Sequence, residues 1–277
     1  VTFWATSFLS TKVLMERGGF TPVEMYVYRF AVAYFLLLCL TFRHIKSCSW
    51  KDEFTLFLSG ICAGSLYFIT ENYALRLTTA GNVSLLASIS PLFTTFLMAL
   101  VFKQKIQTGV LIGSGVAIAG VACIILSNGG GLEFRPEGDL LALAAALCWA
   151  IYTIAVRRVI PLYTSLFITR KLFFYGVVTA LPLLLVQNEP YHIHLLFDLR
   201  QPEYLVNFLF LVLMCSICSY LIWNETMKKL GSVTANNYLY LQPPITMVAG
   251  YFFLGEKIFM LGYIGCALVI AGLIISD

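Results

Sequence analysis

Charge is scarce in this chain. Asp, Glu, Lys and Arg make up 12% of its residues, about half the share of an ordinary soluble domain. Eighteen Lys and Arg against fourteen Asp and Glu leave a net charge of +4 over 277 residues. So thin a spread forms no basic patch, which excludes nucleic acid as a partner. Histidine is rarer still: His44, His192 and His194 all fall in polar breaks. Grouped with Glu189 and Asp198, the last two make at best a weak outer metal site, so no metal and no cofactor is expected. No phosphate-binding loop is present, because Gly129-Gly130-Gly131 is not followed by Lys-Ser/Thr, so ATP is not the expected driver. Long polar stretches are also missing. That leaves no room for a catalytic domain outside the apolar segments, and the chain is not expected to be an enzyme. The eight cysteines form no disulfide framework. Cys39, Cys62, Cys123, Cys148, Cys215, Cys218 and Cys266 lie inside apolar runs and Cys48 in a polar loop; they read as small packing residues.

Apolar residues are what the chain has in excess, at 60%, with a mean hydropathy of +0.86. They fall into ten runs. The first, Val1 to about Met15, is too short to cross a bilayer and reads as the truncated end of a span; it carries no signal-peptide pattern. The others are Pro22–Phe42, Phe54–Tyr73, Gly81–Phe102, Thr108–Ser127, Asp139–Val156, Ser165–Val186, Tyr204–Trp223, Thr234–Leu254 and Phe259–Ser276. Most approach the roughly 20 residues a membrane helix needs. Ten spans would use about 200 residues. The expected fold is therefore an all-α integral membrane protein of ten transmembrane helices, with the lipid bilayer as its solvent.

The basic residues set an orientation. The even breaks hold Arg43, Lys46, Lys51, Lys103, Lys105, Arg157, Arg158, Lys228 and Lys229. The odd breaks hold Arg17, Arg76, Arg135, Arg200 and Lys257. Nine against five puts the even breaks, and with them both termini, in the cytoplasm of a cell (inner) membrane.

The chain also repeats itself. Ser65-Leu66-Tyr67 through Ser90-Pro91 returns as Cys218-Ser219-Tyr220 through Gln242-Pro243. Phe102-Lys103-Gln104-Lys105-Ile106 returns as Leu254-Gly255-Glu256-Lys257-Ile258, and Gly113 and Gly120 return as Gly265 and Gly272. More loosely, Trp4 pairs with Trp149, Lys12 with Arg157 and Arg29 with Lys171. Residues 1–127 and 139–277 thus form two five-span repeats, joined by a Gly-rich periplasmic linker at 128–138. Five is odd, so the second half enters the membrane upside down relative to the first, as in many secondary transporters.

These features resemble the EamA-type carriers of the drug/metabolite transporter superfamily. They are the Trp early in the first and sixth spans, the Pro deep in the fourth and ninth, the short turns after them and the Gly-spaced helices closing each half. The likeness covers essentially the whole chain. It implies a secondary carrier with a cavity between two five-helix halves. The first half departs from the pattern: Lys103-Gln104 stands where the second keeps Gly255-Glu256.

Polar side chains at membrane depth mark where a substrate would bind. The fourth span offers Asn82, Ser84, Ser88 and Ser90 before Pro91. The ninth offers Asn236, Asn237, Tyr240 and Gln242 before Pro243 and Pro244. Pro removes a backbone donor and disturbs the preceding turn. Paired Pro-broken segments point to the binding site of a repeat carrier. The plainer alternative is that these Ser and Asn side chains join neighbouring helices. Trp4, Tyr67, Trp149, Tyr152 and Tyr220 supply rings for an amphipathic solute, or else belong to an interfacial belt. Glu71, whose repeat mate is Asn224, is the candidate for proton coupling. Gly60-xxx-Gly64, Gly109-xxx-Gly113 and Ala142-xxx-Ala146-xxx-Ala150 read as close helix contacts within a monomer, or less readily a homodimer. The expected function is export or exchange of small organic metabolites or amphipathic solutes by alternating access. A phosphorylated-sugar or nucleotide-sugar antiporter, and a receptor or scaffold that moves nothing, stand as alternatives.

Overall fold

Two threonines start two helices by the same device. Thr21 is extended, its hydroxyl accepts from the Glu24 N–H, and the Glu24 carboxylate accepts from the Thr21 N–H at 2.9 Å. This capping box, with Pro22 in the first turn, opens α2, Pro22–Thr41. Thr164 is likewise extended and accepts from the Phe167 N–H, opening α9, Ser165–Val186. The computed structural model describes residues 1–42, 49–78, 80–103, 105–127, 135–187, 190–198, 200–254 and 259–276, without side chains at 8, 9, 12, 75, 76, 80–82, 84, 253 and 254.

The remaining helices follow in chain order. They are α1 Thr2–Lys12, α3 Trp50–Gly60, α4 Leu66–Leu77, α5 Ala80–Ala87, α6 Ser90–Phe102, α7 Thr108–Ser127, α8 Pro136–Val159, α10 Pro202–Phe210, α11 Ser219–Leu230, α12 Ser232–Asn237, α13 Gln242–Leu254 and α14 Met260–Ser276. Among the described residues, seven helices are long and apolar enough to cross a membrane: Pro22–Thr41, Trp50–Ala74, Leu85–Phe102, Thr108–Ser127, Pro136–Val159, Ser165–Val186 and Pro202–Leu230. Met260–Ser276 is a shorter apolar helix.

Several segments depart from the regular α-helix. α3 and α4 are joined through a π turn at Ile61–Ser65, and α10 and α11 through a longer one at Leu211–Cys218. The two fall at the same place in the repeat, immediately before or at Ser65 and Cys218. A third π turn, Val13–Arg17, closes α1. In the fourth span, α5 ends at Ala87 and α6 begins at Ser90, just before Pro91. In the ninth, α12 passes into a 3₁₀ turn, Tyr238–Leu241, just before Pro243.

The helices cluster into two units, each drawn from both halves of the sequence. Unit 1 comprises Val1–Ala5, Thr70–Ile154 and Lys229–Asp277; unit 2 comprises Thr6–Ile69 and Ala155–Lys228. In unit 1, α7 and α14 run antiparallel with their glycines crossed: Gly113 meets Gly272, and Gly120 meets Gly265. A methyl group at Gly120 would stand 2.6 Å from the Gly265 carbonyl oxygen, so only glycine lets these backbones approach so closely. Ala142, Ala146 and Ala150 of α8 are fully buried.

In unit 2, α2 and α9 also run antiparallel. The Thr21 hydroxyl at the start of α2 donates to the Gln187 Oε1 at the end of α9, at 3.0 Å. At the other end, Arg170 Nη1 donates to the Thr41 carbonyl at 2.7 Å and to its hydroxyl at 2.8 Å. Midway, Phe30 and Phe173 pack edge to face at 4.9 Å. Gly60 lies against Tyr175 of α9, and Gly64 against Gly176 and Tyr26.

Candidate functional site

Most of the sequence-predicted site residues fall in unit 1. On α8, Trp149 and Tyr152 are three residues apart and share a face. Both are buried, and their rings meet at 5.2 Å. Trp4 stands edge-on to Trp149 at 5.5 Å. The indole N–H of Trp149 donates to Asn236 Oδ1 at 3.1 Å. The Asn236 amide donates to the Ser232 carbonyl at 2.8 Å and reaches the Thr153 hydroxyl at 3.4 Å, while that hydroxyl donates back to the Trp149 carbonyl. Asn236 is fully buried, and its carboxamide joins α12 to α8.

Asn237 is different. It is 1% exposed, and among the described residues neither its Oδ1 nor its Nδ2 has a hydrogen-bond partner. The fully buried hydroxyls of Tyr240 and Ser114 face one another, and among the described residues neither has a well-formed hydrogen bond. Pro243 and Pro244 add to this. They occupy the third and fourth positions after Tyr240, so neither can donate to the Tyr240 carbonyl. Unmatched buried polar groups are rare in native proteins and mark places that water, an ion or a ligand completes. The ninth-span break concentrates them.

The fourth span is quieter. Ser88 is buried and donates to the Leu85 carbonyl at 2.7 Å; Thr94 and Thr95 donate to the carbonyls of Ser90 and Pro91. Ser90 is buried beside Pro91 at the start of α6. The side chains of Asn82 and Ser84 lie outside the described residues, as do the Gly129-Gly130-Gly131 linker and the turn at Gly255-Glu256. Gln242 is half-buried, and its carbonyl accepts from the Thr246 hydroxyl, which also reaches the Ala5 carbonyl at 3.1 Å. Glu71 is half-buried on α4. Its repeat mate Asn224, in unit 2, is fully buried and donates to the Thr169 hydroxyl at 2.9 Å.

Tyr67 and Tyr220 belong to unit 2. Tyr220 is buried and donates to the Ala63 carbonyl at 3.0 Å, within the π turn of the third span. Tyr67 is half-buried and packs edge to face with Phe68 at 5.3 Å. Arg29, buried in α2, donates from Nε to the Ser216 hydroxyl at 2.5 Å, inside the other π turn. Lys171 pairs with Glu53 at 2.5 Å.

Sequence reasoning passed over Ser114, Thr153 and Glu24. A lone serine in the apolar run of α7 carries no signal of its own. Besides closing the capping box of α2, the Glu24 carboxylate takes the His192 N–H at 2.7 Å and stands 3.1 Å from His192 Nδ1. His192 is thus committed to a carboxylate on α2.

The profile of the EamA-like transporter family matches residues 1–126 and again 136–276. The chain belongs to the EamA-like transporter family. It is accordingly a multi-pass membrane transporter. It is 26% identical to an uncharacterized transporter of Clostridium kluyveri, over 99% of this chain and 89% of that protein. An uncharacterized transporter of Archaeoglobus fulgidus is 28% identical, with 99% and 93% covered. A probable terminal-alkyne amino-acid exporter of Streptantibioticus cattleyicolor is 27% identical, with 100% and 90% covered. A crystal structure 20% identical in sequence shares the fold with a TM-score of 0.79, over 99% of this chain and 92% of that one.

Proposed function

We propose that this EamA-family transporter is a secondary carrier that exports or exchanges small organic metabolites or amphipathic solutes by alternating access. Its working parts are two inverted halves, residues 1–127 and 139–277, each with five spans. The seven helices of spanning length, the ninth span, Met260–Ser276 and the short α1 supply the ten. The observation that carries the reading is the crossing of α7 and α14. Gly113 corresponds in the repeat to Gly265, and Gly120 to Gly272. Exchanging mates turns the Gly113–Gly272 contact into the Gly120–Gly265 contact. A contact set that maps onto itself is the mark of a two-fold axis. Because the mates are antiparallel, that axis lies across the helices, as inversion requires. Trp4 and Trp149, mates in the repeat, touch each other directly, as symmetry-related residues do beside such an axis.

Within unit 1 the Trp4, Trp149 and Tyr152 rings offer an apolar wall, and Asn237 offers a carboxamide to a polar group on the solute. Ser88, Ser90, Tyr240 and Gln242 lie along the two broken spans that frame it. The relative named as an amino-acid exporter fits a solute of that size. The excess of Lys and Arg in the even breaks orients both termini to the cytoplasm of the inner membrane. Glu71 is the proposed proton-coupling group.

The test is flux of labelled amino acids and amphipathic amines in liposomes containing the purified chain, with and without a pH gradient. Solute movement without ATP is expected. Glu71→Gln is expected to keep flux while losing its dependence on the gradient; an undiminished dependence removes Glu71 from the mechanism. A chain that binds solutes yet moves none is a receptor, and the carrier reading fails.

A further inference from the structure

We propose that Glu24 and His192 form a pH-operated latch, which clips the connection between α9 and α10 onto the start of α2 while the imidazole is protonated and loosens when it is neutral. Both residues belong to unit 2. Glu24 sits in the first turn of α2, and its carboxylate is fully buried. Oε2 takes the Thr21 N–H at 2.9 Å and stands 3.1 Å from His192 Nδ1. Oε1 takes the His192 N–H at 2.7 Å and the Tyr28 hydroxyl at 3.2 Å. Thr21 and Tyr28 are local partners, three and four residues away. His192 comes from 168 residues further along the chain, and it brings a side chain that can carry the opposite charge. A buried carboxylate is costly without compensation of that kind.

The imidazole is both held and reachable. Phe20 packs on it at 5.8 Å. Gly19, at φ 71°, turns the chain so closely past it that an added methyl group would stand 3.3 Å from Nε2. The side chain is still 21% exposed, so protons exchange with solvent. Histidine is the side chain whose ordinary charge change falls between about pH 5 and 8. Protonated, Nδ1–H gives the carboxylate a charge-assisted hydrogen bond. Neutral, that nitrogen is either an uncharged donor or a lone pair set against another lone pair. The His192 N–H bond is the same at any pH, so the latch has one fixed contact and one that titrates. Its neighbouring anchors are fixed too. The Tyr191 hydroxyl donates to the Leu184 carbonyl at 3.1 Å, and the Thr21 hydroxyl to Gln187 Oε1 at 3.0 Å. What pH alters is therefore the hold on the 3₁₀ turn Ile193–Phe197, which follows His192 directly.

Other titratable groups surround the latch without entering it. Arg17 of the first π turn faces Glu203 of α10 at 3.9 Å, and Tyr204 donates to the Arg17 carbonyl. Asp198 takes the Arg200 N–H. Glu16 precedes Arg17, and His194 lies in the 3₁₀ turn itself. Among the described residues none of these bonds to Glu24 or His192. The latch does not depend on the carrier reading. With the termini in the cytoplasm, as proposed above, it reads the pH outside.

The experiment is hydrogen–deuterium exchange on the full chain in lipid nanodiscs, in steps from about pH 5 to about pH 8, corrected for the intrinsic pH dependence of exchange. The segment to follow is Ile193–Phe197, with residues 157–163 as the reference. In native protein its protection, relative to the reference, is expected to fall roughly fivefold as pH rises, the difference between a charge-assisted and a neutral hydrogen bond. His192→Gln and Glu24→Gln are expected to abolish the fall. His194→Gln, which leaves the latch intact, is expected to keep it. A flat native profile overturns the proposal. So does a fall that survives His192→Gln or Glu24→Gln, or one that vanishes with His194→Gln. Should Glu24→Gln not fold, native protein and the two histidine variants decide by the same outcomes.

Discussion

Asn236 and Asn237 are neighbours of the same type, both buried, and the chain uses them in opposite ways. The first has its carboxamide committed at both ends, to Trp149 on one side and to Ser232 and Thr153 on the other. Replacing it with alanine leaves a buried indole N–H without an acceptor, and such a loss costs about 1–3 kcal/mol. Among the described residues Asn237 makes no such bonds, so its removal takes away a desolvated polar group left unmatched there. The expected outcome is that Asn236→Ala lowers the thermal unfolding midpoint in detergent. Asn237→Ala leaves it unchanged or higher while weakening solute binding at least severalfold. Equal destabilisation by both would show that Asn237 is a structural residue. The sequence could not separate the two, since adjacent identical side chains differ only in the direction the helix points them.

At the scale of elements, the ninth span is held open by chemistry visible in the sequence. Pro243 and Pro244 deny the Tyr240 carbonyl its third- and fourth-neighbour donors, and the helix passes through a 3₁₀ turn there. Changing both to alanine restores two N–H groups and removes the obstacle to a continuous helix. Proline in a helix interior is disfavoured by about 3 kcal/mol. The double variant is thus expected to be more stable to heat but slower in liposome flux. A variant that is more stable and equally fast would mean that the break plays no part in transport. The π turns are the opposite case. Ile61–Ser65 and Leu211–Cys218 contain no proline, and their sequences differ, yet both widen at the same register. Gly64 leaves the helical backbone within the first, but the second has no such residue; both also reflect what packs against each helix, including Arg29 and Tyr220.

For the whole molecule, the central expectation is that the halves lie upside down relative to one another. The proposed inversion rests on the crossed glycines of α7 and α14 and the antiparallel run of α2 against α9. Reporter tags inserted at Gly81 and Thr234 in membrane vesicles check this directly. They are expected on opposite faces of the bilayer, and one common face would remove the symmetry on which the proposed alternating access depends. The two compact units cut across this division. Each takes spans from both halves, so the halves meet inside each unit and are not themselves the compact bodies.

Hydropathy by itself determined that this chain lives in a bilayer, because apolar runs of spanning length have no other stable solvent. The apolar runs also began at Pro22 and Ser165, where α2 and α9 begin, and proline marked the breaks before Pro91 and Pro243, since it acts over a few neighbouring residues. The repeat was legible because its Pro, Gly and Trp positions recur in order. Which buried polar groups are satisfied was decided only in three dimensions. Asn236 meets Trp149 across 87 residues of chain and Tyr220 meets Ala63 across 157. Such pairings depend on how helices rotate and approach, and no stretch of sequence contains that information.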